Sequence, residues 1–168
     1  MRADARRLMA LVGMGACDLS IVIADDDFVH ALNRKFRGKD RPTDVLSFPQ
    51  FEDAEDLRAH AVRRSQRRAA SPPPPPRGSL LQPSPMSAPV SAVRTVLGDV
   101  VISVETARRQ ARRLSVTPAA RMRTLLVHGL LHLLGYDHER SPAEARRMFA
   151  RERELAAALR GLGAKKKR

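Results

Sequence analysis

The sequence predicts one domain that mixes helices with a few short strands, and three observations carry that reading. Apolar runs of strand length occur at Asp18–Ile23, Val45–Phe48 and Leu97–Ser103. Around them, apolar residues recur at helical spacing behind Asp, Ser or Thr caps. The 168 residues, 43% of them apolar, suffice for one genuine core.

Taken in order, the first element is a short helix near Ala5–Met14. Asp18–Ile23 then reads as a strand, ended by Asp25-Asp26-Asp27, which supply an N-cap and early-turn acids for a helix running to about Phe36. Phe28, Leu32 and Phe36 stack on it at i, i+4, i+8. Gly38 to Pro42 makes a turn into the strand Val45–Phe48. After the third strand, Ser103 caps a helix to about Leu114 that turns Val104, Ala107, Ala111 and Leu114 inward. Its outward residues are Arg108, Arg109, Arg112 and Arg113. Thr117-Pro118 opens the next helix, with proline at the first helical position. Ser141-Pro142-Ala143-Glu144 is a capping box for the last one, whose stripe of Ala145, Met148, Phe149, Leu155 and Leu159 ends at Gly161. Residues 162–168 form a basic tail.

Between Glu52 and Arg94 lie eight prolines, five of them consecutive, and no aromatic residue. Such a segment cannot bury enough surface to offset its ordering entropy. The expectation is therefore a single domain over 1–168, interrupted by a disordered Pro/Arg-rich insertion at 52–95. Cys17 is the only cysteine, which excludes a disulfide framework and fits a reducing compartment. No apolar run approaches the roughly 18 residues of a membrane span. The formal charge of +13 points towards a polyanionic partner. Much of it is peripheral, since 52–95 holds seven Arg against four acids and 160–168 adds five basic residues.

The chemistry is concentrated in His128-Gly-Leu-Leu-His132-Leu-Leu-Gly135-Tyr-Asp-His138. Histidines four apart on a helix share one face about 6 Å apart along the axis, so their rings can converge on one ion. Gly135 permits the left-handed turn that ends the helix and returns the chain to deliver His138. Three protein ligands leave a fourth tetrahedral position for water, as in a catalytic zinc site. The spacing is that of the metzincin proteases, but Gly129 stands where their general-base glutamate follows the first histidine. Asp99, Asp137 or Glu139 could supply a base from elsewhere. Phosphodiester cleavage instead needs positive charge beside the metal, which the turn Arg37-Gly38-Lys39-Asp40-Arg41 can provide.

Three segments together, Leu32-Asn33 with Arg37–Pro49, Leu97-Gly98-Asp99, and His128–His138, resemble the YbeY family of single-strand-specific, zinc-dependent endoribonucleases. The resemblance covers about residues 18–160 apart from the insertion. It implies an α+β fold, a small mixed β-sheet packed with helices, with the metal at the end of the central helix. It places one Zn2+ on His128, His132 and His138, and a catalytic arginine at Arg37. It further implies maturation of the 3′ end of small-subunit (16S) rRNA and a part in ribosome quality control. The implied partners are single-stranded rRNA and the ribosome, a small-subunit ribosomal protein and an Era-type GTPase, without a membrane. The protein is expected in the cytoplasm, or in an organelle if its source is eukaryotic. Relatives normally begin with a further strand, for which only about 17 residues precede Asp18. That strand is expected to be absent, through a misassigned start or a lost sheet edge.

Two other functional classes compete. A metalloprotease would need an acid in the motif. A structural-zinc RNA-binding module would need a fourth ligand, for which Cys17 is the only soft candidate. Among the remaining polar residues, Asp44 reads as a turn or strand-end hydrogen-bonding group and Asp137 equally as a local cap or a catalytic group. Asp99, an acid within a strand, is a candidate outer partner for a ligating histidine. His30 and His60 read as ordinary helix-surface and loop residues.

Overall fold

A computed structural model of the protein describes residues 1–51, Ala59 and residues 95–164. The expected disordered insertion, apart from Ala59 and Thr95, lies outside the described residues, as do His60 and the tail from Lys165. The described residues form α1 (Arg2–Leu11), β1 (Asp18–Ala24), α2 (Asp26–Arg37), β2 (Val45–Pro49), β3 (Val96–Ser103), α3 (Val104–Arg113), α4 (Pro118–Leu133) and α5 (Pro142–Ala164).

Local chemistry starts the helices where the sequence places caps. Asp25 Oδ1 accepts from the Phe28 amide at 2.8 Å, and Ser103 Oγ from the Thr106 amide at 3.1 Å. Thr117 Oγ1 accepts from the Ala120 amide and Ser141 Oγ from the Glu144 amide, both at 3.1 Å. Each bond satisfies an amide that the first turn leaves without an intrahelical partner.

The sheet is mixed, with order β1-β3-β2. β1 runs parallel to β3, and β2 antiparallel to it. The fold is thus α+β, as expected. Among the described residues β1 has a strand neighbour on one side only. Central β3 is buried on both faces, so its Val-Val-Ile run shows no polar alternation. Val100 and Ile102 join the main core with Leu8, Leu126, Leu130 and Met148. Val101 faces the other way, onto Val29 of α2 and Leu46 of β2. Helix α4 lies at the centre and buries seven residues, among them Leu125–Val127 and Leu130–Leu131. An apolar circumference of that kind is what a fully enclosed helix requires.

Several expectations need correction. Helix α1 begins and ends three residues earlier than expected, because Gly13 takes a positive φ of 76° and turns the chain. On α2 the stack at Phe28, Leu32 and Phe36 is not the buried face. Val29 and Asn33 are buried, while Phe28 and Phe36 are about half exposed and Phe36 packs edge-on against Phe48 at 5.3 Å. Leu114, expected inward, follows the last turn of α3 and is 57% exposed. Phe149 leaves the core stripe of α5 for the histidine cluster, as described below. Gly161 does not end α5, which continues to Ala164.

Candidate metal centre and its basic cleft

Helix α4 delivers His128 and His132 one turn apart near its C-terminal end. The chain then turns at Gly135, whose φ of 84° suits a residue without a Cβ. The Gly135 and Tyr136 amides close the turn by donating to the His132 and Leu131 carbonyls, both at 3.0 Å. Three residues later His138 faces the same point. The ring centroids lie 4.8, 5.1 and 5.2 Å apart, and one ligand atom from each residue falls within 4.8 Å of the others.

These residues fit a metal ion. Two nitrogens on one tetrahedral zinc at about 2.0–2.1 Å must stand roughly 3.3 Å apart. His128 Nε2 and His132 Nε2 are 3.2 Å apart. His138 Nδ1 is buried without a hydrogen-bond partner, a costly arrangement unless something binds there. Burial, and then the neighbouring His128 and His138 rings, push the His132 pKa down to about 4. The ring is therefore neutral at physiological pH, the form that ligates. Cys17 is buried in the core and is not part of the cluster.

Gly129 owes its identity to packing. A Cβ there would stand 2.7 Å from Val100 Cγ1 and 3.0 Å from Ser47 Oγ. The Gly129 carbonyl also accepts from Ser47 Oγ at 3.0 Å. Helix α4 thus presses its backbone onto the sheet at the position where a metalloprotease carries its base.

The histidines open into a cleft of about 400 Å³, lined also by Asn33, Arg37, Lys39, Arg41, Ser47, Tyr136, Glu139 and Arg140. Arg37 is the last residue of α2, and Gly38 caps that helix in the left-handed conformation at φ 63°. Buried Asn33 holds the following loop by donating from Nδ2 to the Arg41 carbonyl at 2.7 Å. Glu139, next to the third histidine, lies 3.6 Å from both the Arg37 guanidinium and the Lys39 ammonium. The structure therefore brings Arg37 and the three histidines to one cleft.

Asp44 and Asp137 also line the cleft, and each makes local contacts that hold its walls. Asp44 accepts from the Val45 amide at 3.0 Å and from Gln110 and Arg121 at 3.0 and 3.2 Å, tying the start of β2 to α3 and α4. Asp137 accepts from the Glu139 amide at 2.8 Å, which lowers its pKa, and caps that turn. Asp99 has the strand parity of Val101, so it belongs to the sheet face opposite α4. It does not line the cleft, and the candidate outer partner for a histidine is not Asp99. His30 lies on α2 and pairs with Asp40 at 2.7 Å.

Two residues near the site carry no local sequence signal. Phe149 of α5 packs its ring against His138 at 5.7 Å, and Glu152 Oε2 lies 3.5 Å from His128 Nδ1. Their i, i+3 spacing puts both on one face of α5. Only the approach of α5 to the end of α4 makes them neighbours of the histidines.

The family model for endoribonuclease YbeY matches residues 5–160. The chain belongs to the YbeY family. An endoribonuclease YbeY of Anaeromyxobacter sp. is 41% identical over 158 residues, covering 94% of this chain and 62% of that protein. A Chloroflexus aurantiacus member is 40% identical, with 92% of this chain and 80% of its own length aligned. For a Geobacter sulfurreducens member the identity is 37%, with 95% and 84% covered. The chain thus spans less than two thirds of the Anaeromyxobacter YbeY. The fold resembles the solution structure of TM1509 from Thermotoga maritima, with a TM-score of 0.56 at 20% identity, over 99% of this chain and 83% of that one. Among the described residues no helix is long and apolar enough to cross a membrane.

Proposed function

We propose that this protein is a zinc-dependent endoribonuclease that cleaves single-stranded rRNA. Its task would be to mature the 3′ end of 16S rRNA and to act in ribosome quality control, in contact with the ribosome, a small-subunit ribosomal protein and an Era-type GTPase. The observation that carries the reading is the convergence of a three-histidine cluster and the Arg37–Arg41 cations on one cleft. A zinc ion on His128, His132 and His138 would lower the pKa of a water and polarise a phosphoryl oxygen. Arg37, placed by the capped end of α2, would stabilise charge developing on the scissile phosphate. Lys39 and Arg41 extend that positive wall and would bind flanking phosphates, which draws the backbone of an unpaired strand along the loop. Family membership supports the same activity.

The test is direct. Purified protein is incubated with single-stranded and duplexed rRNA fragments, with and without a chelator. Cleavage of the single strand should stop on chelation and return with zinc. Persistent cleavage in chelator, or none in zinc-loaded protein, defeats the proposal.

A further inference from the structure

We infer that Glu152 is a positioning residue for the metal site. It would fix the tautomer and orientation of His128 from behind while taking no part in the cleft itself. Three observations lead there. Glu152 Oε2 stands 3.5 Å from His128 Nδ1, and both side chains are largely buried, at 18% and 21% exposure. The opposite nitrogen of that ring, Nε2, faces His132 Nε2 at 3.2 Å. Glu152 is absent from the residues that line the cleft, whereas His128 is among them.

The chemistry follows from proton bookkeeping on one ring. A neutral imidazole carries one N–H and one lone pair. An ionised carboxylate only accepts, so beside Nδ1 it holds the proton there and leaves the Nε2 lone pair free to ligate. The same negative charge offsets part of the +2 that a zinc ion brings among three neutral histidines, and makes His128 the stronger donor. Glu152 is fixed in turn by its helix. Met148 and Leu155, four before and three after, are both buried in the main core, and Phe149 on the neighbouring turn packs against His138. One face of α5 thereby supports two of the three histidines.

Glu152 acts in this way only if the histidines hold a metal, as proposed above, and the experiment separates the two. Metal-stripped wild type, Glu152→Gln and Glu152→Ala are titrated with zinc against a chromophoric chelator, with no RNA present. The Ala variant should bind zinc about 10–100-fold more weakly. The Gln variant, which keeps an acceptor but loses the charge, should fall between the two. Nitrogen-15 spectra of the metal-free proteins give a second readout. His128 should be the Nδ1–H tautomer in wild type and should lose that preference in the Ala variant. If wild type binds no zinc, the metal-site reading fails and this one falls with it. If wild type binds zinc and the Ala variant binds it equally well, Glu152 alone is overturned. Should the Ala variant fail to fold, the Gln variant decides: unchanged zinc affinity with an unchanged tautomer refutes the role.

Discussion

Replacing Gly129 with alanine sets two opposed effects against each other, and their magnitudes decide the sign. In a solvated helix the change would stabilise by about 0.8–1.0 kcal/mol, because alanine loses less backbone entropy. Here the new Cβ would sit 2.7 Å from Val100 Cγ1 and 3.0 Å from Ser47 Oγ. Val100 cannot yield easily. It is β-branched and stiff at χ1, and it sits fully buried in the central strand. Overpacking of such a core costs about 1–3 kcal/mol. The net expectation is destabilisation of up to about 2 kcal/mol, or a fall in Tm of up to about 8 °C for a domain of this size. The assay is urea denaturation of the metal-free proteins, which keeps zinc linkage out of the comparison. An alanine variant more stable than wild type would show that α4 does not press onto β3 as described, and the structural account of the missing protease glutamate would go with it.

The other predictions can be stated briefly. His132→Ala should lower zinc content and abolish RNA cleavage, since two histidines hold the ion far more weakly; metal analysis and a cleavage assay check both. Arg37→Ala should lose most cleavage while keeping zinc and fold, with Arg37→Lys only partly active because a point charge replaces a bidentate fork. At Asp26, burial raises the carboxyl pKa, but hydrogen bonds from Arg109 (2.6 Å), Ser103 and Thr106 (2.7 Å) outweigh it and hold the group well below its ordinary 3.8. A depressed carboxylate pKa contributes stability that is present above that ordinary value and lost as pH falls below it. Asp26→Asn should therefore cost about 1.5–3 kcal/mol at neutral pH, and its denaturation midpoint should fall less than that of wild type as pH drops below 4.

What the sequence made legible divides along a physical line. Caps, strands and the histidine motif are local, so Asp25, Ser103, Thr117 and Ser141 all act where they were expected. Local pattern failed where burial depends on which element arrives opposite. Phe28 and Phe36 form a regular stripe, yet the sheet meets α2 at Val29. Leu114 and Phe149 likewise fit the period of their helices, but the chain leaves α3 before Leu114, and a histidine cluster rather than core meets Phe149. Glu152 had no chance of being found by spacing, being 24 residues from His128 and set there by the packing of α5. Asp99 failed for a subtler reason. Its strand was correctly placed, but a continuous apolar run hides which face each residue takes, and only Val101 beside Val29 settles the parity.

The histidines alone do not choose between a peptide and an RNA, because the same spacing serves peptidases. In the proposed function the neighbours of the site make that choice, and salt can test it. Arg37, Lys39 and Arg41 line the cleft, and Glu139 lies 3.6 Å from the first two. If these three cations engage phosphates of a single strand, the logarithm of the binding constant should fall with the logarithm of salt at a slope of about −2, taking roughly −0.7 per contact. Between 50 and 200 mM salt that is about a 20-fold loss of affinity. Arg37→Ala should flatten the slope by about 0.7, and Lys39→Ala by the same amount. Zinc occupancy should stay constant across the series, which removes the metal as a cause. A slope near zero in wild type, with cleavage intact, would mean that the loop cations do not touch the backbone. The substrate would then be held by some other part of the molecule.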